Sequence, residues 1–249
     1  MKWKNVSLKI KLILYIVVGV LLVLASTTAM IISTVTTQEK ALAYQQAIEM
    51  ARSYANKFNG EMEVNQAIGK TISTSMSNYD SSDRNEVNNM LHAILVTHPT
   101  LLGTYVAYEP NAFDGNDELY INSFGHDTTG RFIPYWNKMD GTIKLDPLLY
   151  YDTSDYYQLP KRTEDDVLTE PYYYEGVFMV SYVSPIMKDG NFIGIGGVDV
   201  SLYYLDDVLN HVKAFDTGYA FMTSNTGMLL STPYDKQWIG NRTLYDFGI

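Results

Sequence analysis

The sequence predicts an α+β fold with an antiparallel sheet, carried behind a membrane-spanning helix. Three observations predict it. Leu12 to Val35 runs without a charge, and at 1.5 Å per residue it reaches ~36 Å, enough to cross a hydrocarbon core. Helical periodicity then gives way to short β-branched and aromatic runs separated by turn residues. The clearest of these is VFMVSYVSPIM, Asp189-Gly190, FIGIGGVDV, two strands around the strongest short-range hairpin signal. Helices followed by consecutive hairpin strands and another helix make an α+β pattern.

The chain opens with Lys2, Lys4, Lys9 and Lys11, and no acidic residue precedes Glu39. Lysines on the leading side predict that residues 1–11 stay cytoplasmic and 12–35 span the membrane. A cleaved signal peptide is the alternative, but the apolar run resumes at Ala29-Met30-Ile31-Ile32 without a clean small-x-small site after Ala25. Setting aside those four lysines from 18 basic residues leaves 14 against 28 acidic ones, about −14 from Glu39 onward. Such a surface argues against a nucleic-acid partner. Cysteine is absent, which excludes disulfides and thiolate metal sites.

From Gln38 to about Tyr79, Leu42, Ile48, Tyr54, Phe58, Met62, Ile68 and Ile72 recur with helical spacing, predicting a stalk helix over 36–79. Asp83-Arg84-Asn85-Glu86 resembles a capping box for a second helix that Pro99 ends. Strands are expected over Leu101–Tyr108, Leu119–Phe124, Phe132–Trp136 and Gly141–Leu145. A short helix or turn is expected over Asp152–Arg162, and then the aromatic strand Tyr172–Glu175 and the long hairpin. Ser201–Val212 is amphipathic. Gly218 to Pro233 begins a fresh hairpin, Tyr219–Thr223 and Met228–Thr232, too small to bury a core of its own. It reads as the truncated beginning of a second, smaller module.

In Phe192–Val200, Gly194, Gly196 and Gly197 remove side chains where another group must come close. Asp199 follows, one carboxylate in an apolar strand, where an unpaired charge is costly. Two readings stand: it caps a helix starting near Ser201, or it faces a ligand. The chain holds 21 tyrosines, many clustered between Tyr150 and Tyr204. Aromatic faces with an acidic residue are a means of holding an organic cation, whereas strand tyrosines otherwise pack cores. Tyr172 and Tyr174 share a strand face and Tyr173 points the other way. The four histidines show no metal-ligand spacing, and neither a metal nor a cofactor is expected. GIGGVDV lacks the third glycine of a dinucleotide loop and opens no helix. No nucleophilic triad or phosphate loop is evident, and Asp152, Asp155 and Asp199 lack a spacing that supports paired-carboxylate hydrolysis. The chain is read as a non-enzyme.

In order, the anchor, stalk helix, GRFIPYWNK, DYYQLPKR, EPYYYEGVFMVSYVSPI and FIGIGGVDVSLYYL resemble the double-Cache extracytoplasmic sensor domains of methyl-accepting chemotaxis proteins and membrane histidine kinases. The resemblance implies tandem PAS-like modules on one long helix: a membrane-distal ligand-binding module over 80–215 and the start of a membrane-proximal one over 216–249. It implies the sensing region of a transmembrane chemoreceptor in the cell membrane, with its bulk outside, pairing as a homodimer through the stalk helix. The sensor region of a histidine kinase and a membrane-anchored solute-binding protein are the alternatives. Family members that read α-amino acids use an Arg-x-Trp-Tyr element for the carboxylate and an acidic residue on the Gly-rich strand for the amino group. This sequence keeps the second at Asp199 but has Asp155-Tyr156-Tyr157 in place of the first. The expected ligand is therefore a small molecule with a positive or donor group, an amine. Its expected contacts are Asp199, Trp136, Tyr156, Tyr157, Tyr172, Tyr174, Tyr182 and Arg131.

Overall fold

A computed structural model describes residues 7–248, in two units, 1–55 and 56–249. The expectation for Lys2 and Lys4 lies outside the described residues. Helix α1, Leu8–Ser77, is continuous and passes through both units. It is long and apolar enough to cross a membrane. In the first unit its apolar side chains, Leu12 to Val35 among them, face outward. The hydroxyls of Ser26, Thr27 and Thr37 donate back to Val23, Val23 and Ser33 carbonyls at 2.8–2.9 Å, so these polar groups need no water.

In the second unit α1 buries a stripe of Asn65, Gly69, Ile72, Ser73 and Met76, the spacing of one helical face. Helix α2, Arg84–Thr97, starts at Asp83, whose carboxylate accepts from the Asn85 amide at 2.8 Å. Glu86 does not close the expected box; it accepts from the Tyr79 hydroxyl at 2.6 Å.

One antiparallel sheet follows, in the order β3-β2-β1-β7-β6-β4, with β5 also paired to β6. Its strands are β1 Gly103–Tyr108, β2 Pro134–Asn137, β3 Lys144–Pro147, β4 Val167–Leu168, β5 Tyr172–Tyr174, β6 Val177–Lys188 and β7 Asn191–Ser201. Helix α3, Asp155–Thr163, lies between β3 and β4 in sequence. The β6–β7 turn places Asp189 at φ 52° and Gly190 at φ 77°, both left-handed as a two-residue hairpin of the strand-matching twist requires.

Register assigns the faces. Asp199 pairs with Ser181 and Gly103, Gly197 with Val183 and Tyr105, and Tyr105 with Tyr135. Directly paired residues share a face, so these line one side together. Gly196, Val198, Tyr182, Thr104 and Trp136 line the other. Helices α1 and α2 cover that second side: a Cβ on Gly196 would lie 2.9 Å from the Ser73 amide nitrogen, and Thr104 Oγ1 donates to the Leu91 carbonyl at 2.9 Å. The glycines of β7 thus admit a helix backbone on one side and, at Gly197, the Tyr105 ring on the other.

Several expectations are corrected. Leu119–Phe124 is no strand. The chain makes a short 3-10 turn at Asp117–Tyr120, because the buried Arg84 guanidinium gathers Asp114 and Asp117 at 2.7 Å together with the Gly130 carbonyl. Leu119, Ile121 and Phe124 are left exposed. The helix expected over 201–212 is only α4, Tyr203–Leu209; Ser201 still belongs to β7, and Leu202 takes the cap position without a side-chain bond. Asp199 is therefore not a helix cap. The last hairpin is also split: β9 Gly218–Tyr219 pairs with β8 Lys213–Ala214, and β10 Met222–Thr223 pairs with β11 Leu229–Ser231. Strand β4 escaped the sequence, being two residues long.

Candidate functional site

Strand β7 is central, between β1 and β6, so the Asp199 side chain is buried, 3% exposed. Ser181 Oγ, directly across on β6, donates to its Oδ1 at 2.5 Å. That spends the single serine proton, so Tyr172 must be the donor in its 2.7 Å bond to Ser181 Oγ. The order Tyr172, Ser181, Asp199 is thus a directed relay ending on the carboxylate.

Five tyrosines surround this group. Tyr105 and Tyr135 come from the sheet floor, Tyr156 from α3, and Tyr172 and Tyr174 from β5. Their rings meet edge-on or stacked at 5.7–6.4 Å: Tyr105 with Tyr135 and Tyr156, Tyr135 with Tyr174, and Tyr156 with Tyr172 and Tyr174. Glycine makes room for two of them. A Cβ at Gly103 would collide with the Tyr135 ring, and one at Gly197 would lie 2.7 Å from the Tyr105 hydroxyl.

Burial pushes the Asp199 carboxyl up from 3.8 to about 6, against the Ser181 bond and the nearby Tyr135 and Tyr105 hydroxyls, which pull it back. Those two hydroxyls are fully buried and close enough to the carboxylate to act on its charge. Burial, then the Asp199 charge, holds both phenols well above their ordinary value. The other hydroxyls are committed. Tyr156 donates to the Leu149 carbonyl, and Tyr174 accepts from the Leu149 amide at 2.9 Å.

A cavity of about 530 Å³ reaches this cluster at Tyr135 and Tyr174, within the range of small-molecule sites. Met139, Pro147, Leu149 and Val177 wall it, and Asp140, Asp146 and Glu175 stand on it with Lys144. Lys144 pairs with Asp140 at 3.1 Å and Asp146 at 3.5 Å, so the lining carries more negative than positive charge.

Of the eight residues singled out in the sequence, the structure brings Asp199, Tyr156, Tyr172 and Tyr174 together. Tyr157 and Arg131 belong to a neighbouring cluster. The Arg131 guanidinium donates to the Tyr108 carbonyl and the Tyr157 hydroxyl, stacks on Tyr151 at 4.4 Å and pairs with Glu109 at 3.5 Å. Tyr157 donates to Glu109, which Lys161 also reaches at 2.8 Å. Trp136 and Tyr182 are corrections: both lie on the helix-covered face of the sheet. Trp136 donates to Asn88 Oδ1 at 3.2 Å and packs on His92. Tyr182 sits across from Leu168 with its backbone against Gly69. Strand alternation is the reason, since one step along β2 exchanges Trp136 for Tyr135. Sequence reading missed Tyr105, Tyr135 and Ser181; the glycines that admit the two tyrosine rings, Gly197 and Gly103, lie on other strands or far along the chain, so register alone reveals the pairing.

The model of the first PDC sensor domain of methyl-accepting-chemotaxis-protein-like sequences matches residues 87–207. The extracellular domain of mmHK1S-Z3, described as a histidine kinase, is 64% identical, with a TM-score of 0.81 over 84% of this chain and 77% of that one. A solved structure of methyl-accepting chemotaxis protein X is 30% identical, with a TM-score of 0.72 over 82% and 78%. The chemotaxis protein TlpQ of Pseudomonas aeruginosa is 28% identical over 138 residues, which are 48% of this chain and 19% of the receptor. The chain thus matches a small part of that receptor's length.

Proposed function

The chain belongs to the PDC, or Cache-like, sensor domains of methyl-accepting chemotaxis proteins and histidine kinases, and from that premise we propose that it senses a small organic cation outside the cytoplasm. The observation that carries the ligand class is a buried carboxylate ringed by five tyrosines. Aromatic faces and one negative charge attract a cation. Lys144, the one cation lining this cavity, is paired with Asp140 and Asp146, and Glu175 adds a further negative charge to the lining, which favours a cationic ligand over an anionic one. Residues 80–215 form the ligand-binding module and 216–249 begin the membrane-proximal one. Two copies pair through the stalk helix.

Binding shifts the receptor only if the ligand prefers one arrangement of the module. Strand β7 offers a route, since it carries Asp199 on one face and seats α1 through Gly196 on the other. We read the output as a kinase in preference to a chemotaxis adaptor, because identity to the extracellular domain of that histidine kinase is about twice that to either chemotaxis protein. A thermal-shift screen of the segment from Gln38 onward with small amines, carboxylates and purines tests the ligand class. Amines alone are expected to raise the melting temperature; stabilisation by carboxylates and not amines would overturn the reading.

Two further results are expected. With Asp199 titrating at about 6, the ionised fraction at pH 5 is about one in ten, so affinity for a permanently charged cation falls about tenfold between pH 7 and pH 5. Calorimetric titration at both values checks this, and a flat profile would exclude Asp199 as the counter-ion. A reporter fused at Gly248 is expected to be active only outside the cytoplasm, because the leading lysines hold the N-terminus inside. Activity in the cytoplasm would defeat the sensor topology.

A further inference from the structure

A second cavity, of about 730 Å³, lies where α1, the loop after α2, the end of β7 and α4 meet. Strand alternation separates it from the tyrosine cluster: Val200 lines it, one step along β7 from Asp199 and on the opposite face of the sheet. Val64, Pro99, Val200 and Val208 give it apolar walls. Into this lining α1 brings Asn65, only 6% exposed. Its carboxamide makes no hydrogen bond with any described residue. Ser73, the other polar side chain on the same buried stripe of α1, differs, since it donates to the Pro185 carbonyl. An unpaired buried amide is costly, and folded proteins rarely keep one. Gly60 is a second unexplained feature. Glycine is unfavourable inside a helix, and at Gly69 the fold uses it, because a Cβ there would lie 2.8 Å from the Tyr182 carbonyl oxygen. At Gly60 nothing lies within 4 Å of the missing Cβ, and the residue opens on the cavity.

We infer that this cavity is a second binding site, for a neutral molecule with an apolar body and a carboxamide head that pairs with Asn65. The side chain of Asn65 carries one acceptor oxygen and an N–H₂ donor. A carboxamide satisfies both at once. A carboxylate only accepts and strands the Asn65 oxygen, whereas an ammonium only donates and strands the N–H₂. Sites built to bond a donor reject analogues that lack it, because their own polar groups are left unpaired. Charge also favours a neutral guest. The lining holds one cation, Lys57, and one anion, Glu61, which balance. Lys57 is exposed, and Glu61 accepts from the Tyr204 hydroxyl at 3.1 Å. Lys57 lies eight residues before Asn65, ~12 Å along the helix, so a carboxylate seated at Asn65 would lose its water without gaining a close counter-ion. The apolar body packs on the valines, and the bare backbone at Gly60 gives it room beside α1. Facing away from Asp199, the guest is separate from the cation proposed above.

The test is ligand-observed NMR titration of the full chain in lipid nanodiscs, corrected with empty discs. The probes are hexanamide, N,N-dimethylhexanamide and hexanoate. The wild type is expected to bind hexanamide about tenfold more tightly than either of the others, which both lack its N–H donors. Asn65→Leu should erase that preference, and Gly60→Phe should weaken hexanamide at least about tenfold by filling the cavity wall. No hexanamide binding up to its solubility would mean that solvent alone hydrates Asn65, and it overturns the inference. So does equal binding of the three probes, or a hexanamide affinity that either variant leaves untouched. The wild-type comparison needs no variant, so a misfolded variant would not shelter the idea. Melting temperature supplies a second readout. Without ligand, Asn65→Leu is expected to melt at or above the wild type, since it removes an unpaired polar group. A loss of about 4 °C or more would mark the amide as structural and overturn its binding role. None of the probes is a cation, so failure here leaves the organic-cation reading intact.

Discussion

Asp199→Asn is expected to stabilise the unliganded chain by ~3 kcal/mol at pH 7 while weakening cation binding by about 10- to 150-fold. The stability term follows from linkage. The carboxyl titrates near 3.8 when unfolded and at about 6 when buried in the sheet. Below pH 3.8 it is protonated in both states and contributes nothing. Between about 4 and 6 the folded state holds a proton that the unfolded state has released, so stability falls as pH rises. Above 6 the full cost, ~3 kcal/mol, is present. Asparagine removes that cost, keeps an oxygen to accept from Ser181, and adds an N–H₂ that the Tyr105 and Tyr135 hydroxyls can accept. The binding term is the loss of a charge-assisted hydrogen bond. Denaturant melts at pH 4 and pH 7 check the first: the variant's advantage should appear at pH 7 and shrink at pH 4. Titration with an amine checks the second. A variant less stable at pH 7 with unchanged affinity would make Asp199 a structural residue.

Gly196→Ala is expected to destabilise the second unit by ~3 kcal/mol, the upper part of the range for overpacking. The added Cβ would lie 2.9 Å from the Ser73 amide nitrogen and 3.0 Å from both Ser73 Cα and Ile72 Cγ2. The obstacle is helix backbone, held there by the Ser73 hydroxyl bond to the Pro185 carbonyl, so a side-chain rotation cannot relieve it. Helix and strand must separate. The contrast is Gly60→Ala, where nothing lies within 4 Å of the added carbon. In mid-helix that change should stabilise by about 1 kcal/mol. Urea melts of both variants check the pair, and a neutral Gly196→Ala would show that α1 does not seat tightly on β7. If Gly196→Ala folds, its amine affinity also reports whether this contact is coupled to the site on the opposite face.

In two places the sequence reading names a residue one step along the strand from the one that shares a face with Asp199. Trp136 and Tyr182 are named in the sequence reading where Tyr135 and Ser181 are not, and each is the residue next to one that shares the Asp199 face. A strand carries information about alternation but none about which set faces Asp199. Tyr172 and Tyr174 were assigned to one face, and Tyr173 to the other, for the same reason in reverse: alternation within β5 needs no partner. Arg131 and Tyr157 were placed near the ligand by resemblance, whereas Glu109, Lys161 and Tyr151 engage them in a cluster of their own.

What the sequence determined by itself is whatever depends on neighbours along the chain. The apolar stretch within α1, the β6–β7 hairpin with its Asp189-Gly190 turn, α3 and the alternation of β5 are all local, set by backbone preference and hydrophobic period. The antiparallel sheet as a class followed from them. What only the tertiary structure decided depends on pairing between distant strands. Register between β1 and β7 places Gly103 and Tyr105 beside Asp199 across about 100 residues of chain, and no local preference encodes that choice. The same pairing turned Asp199 from a candidate helix cap into a buried carboxylate and left two tyrosine hydroxyls facing a charge, while the buried Arg84, from α2, drew the strand expected at Leu119–Phe124 into a turn. Those outcomes are set by which groups end up buried together, and burial is a property of the assembled fold.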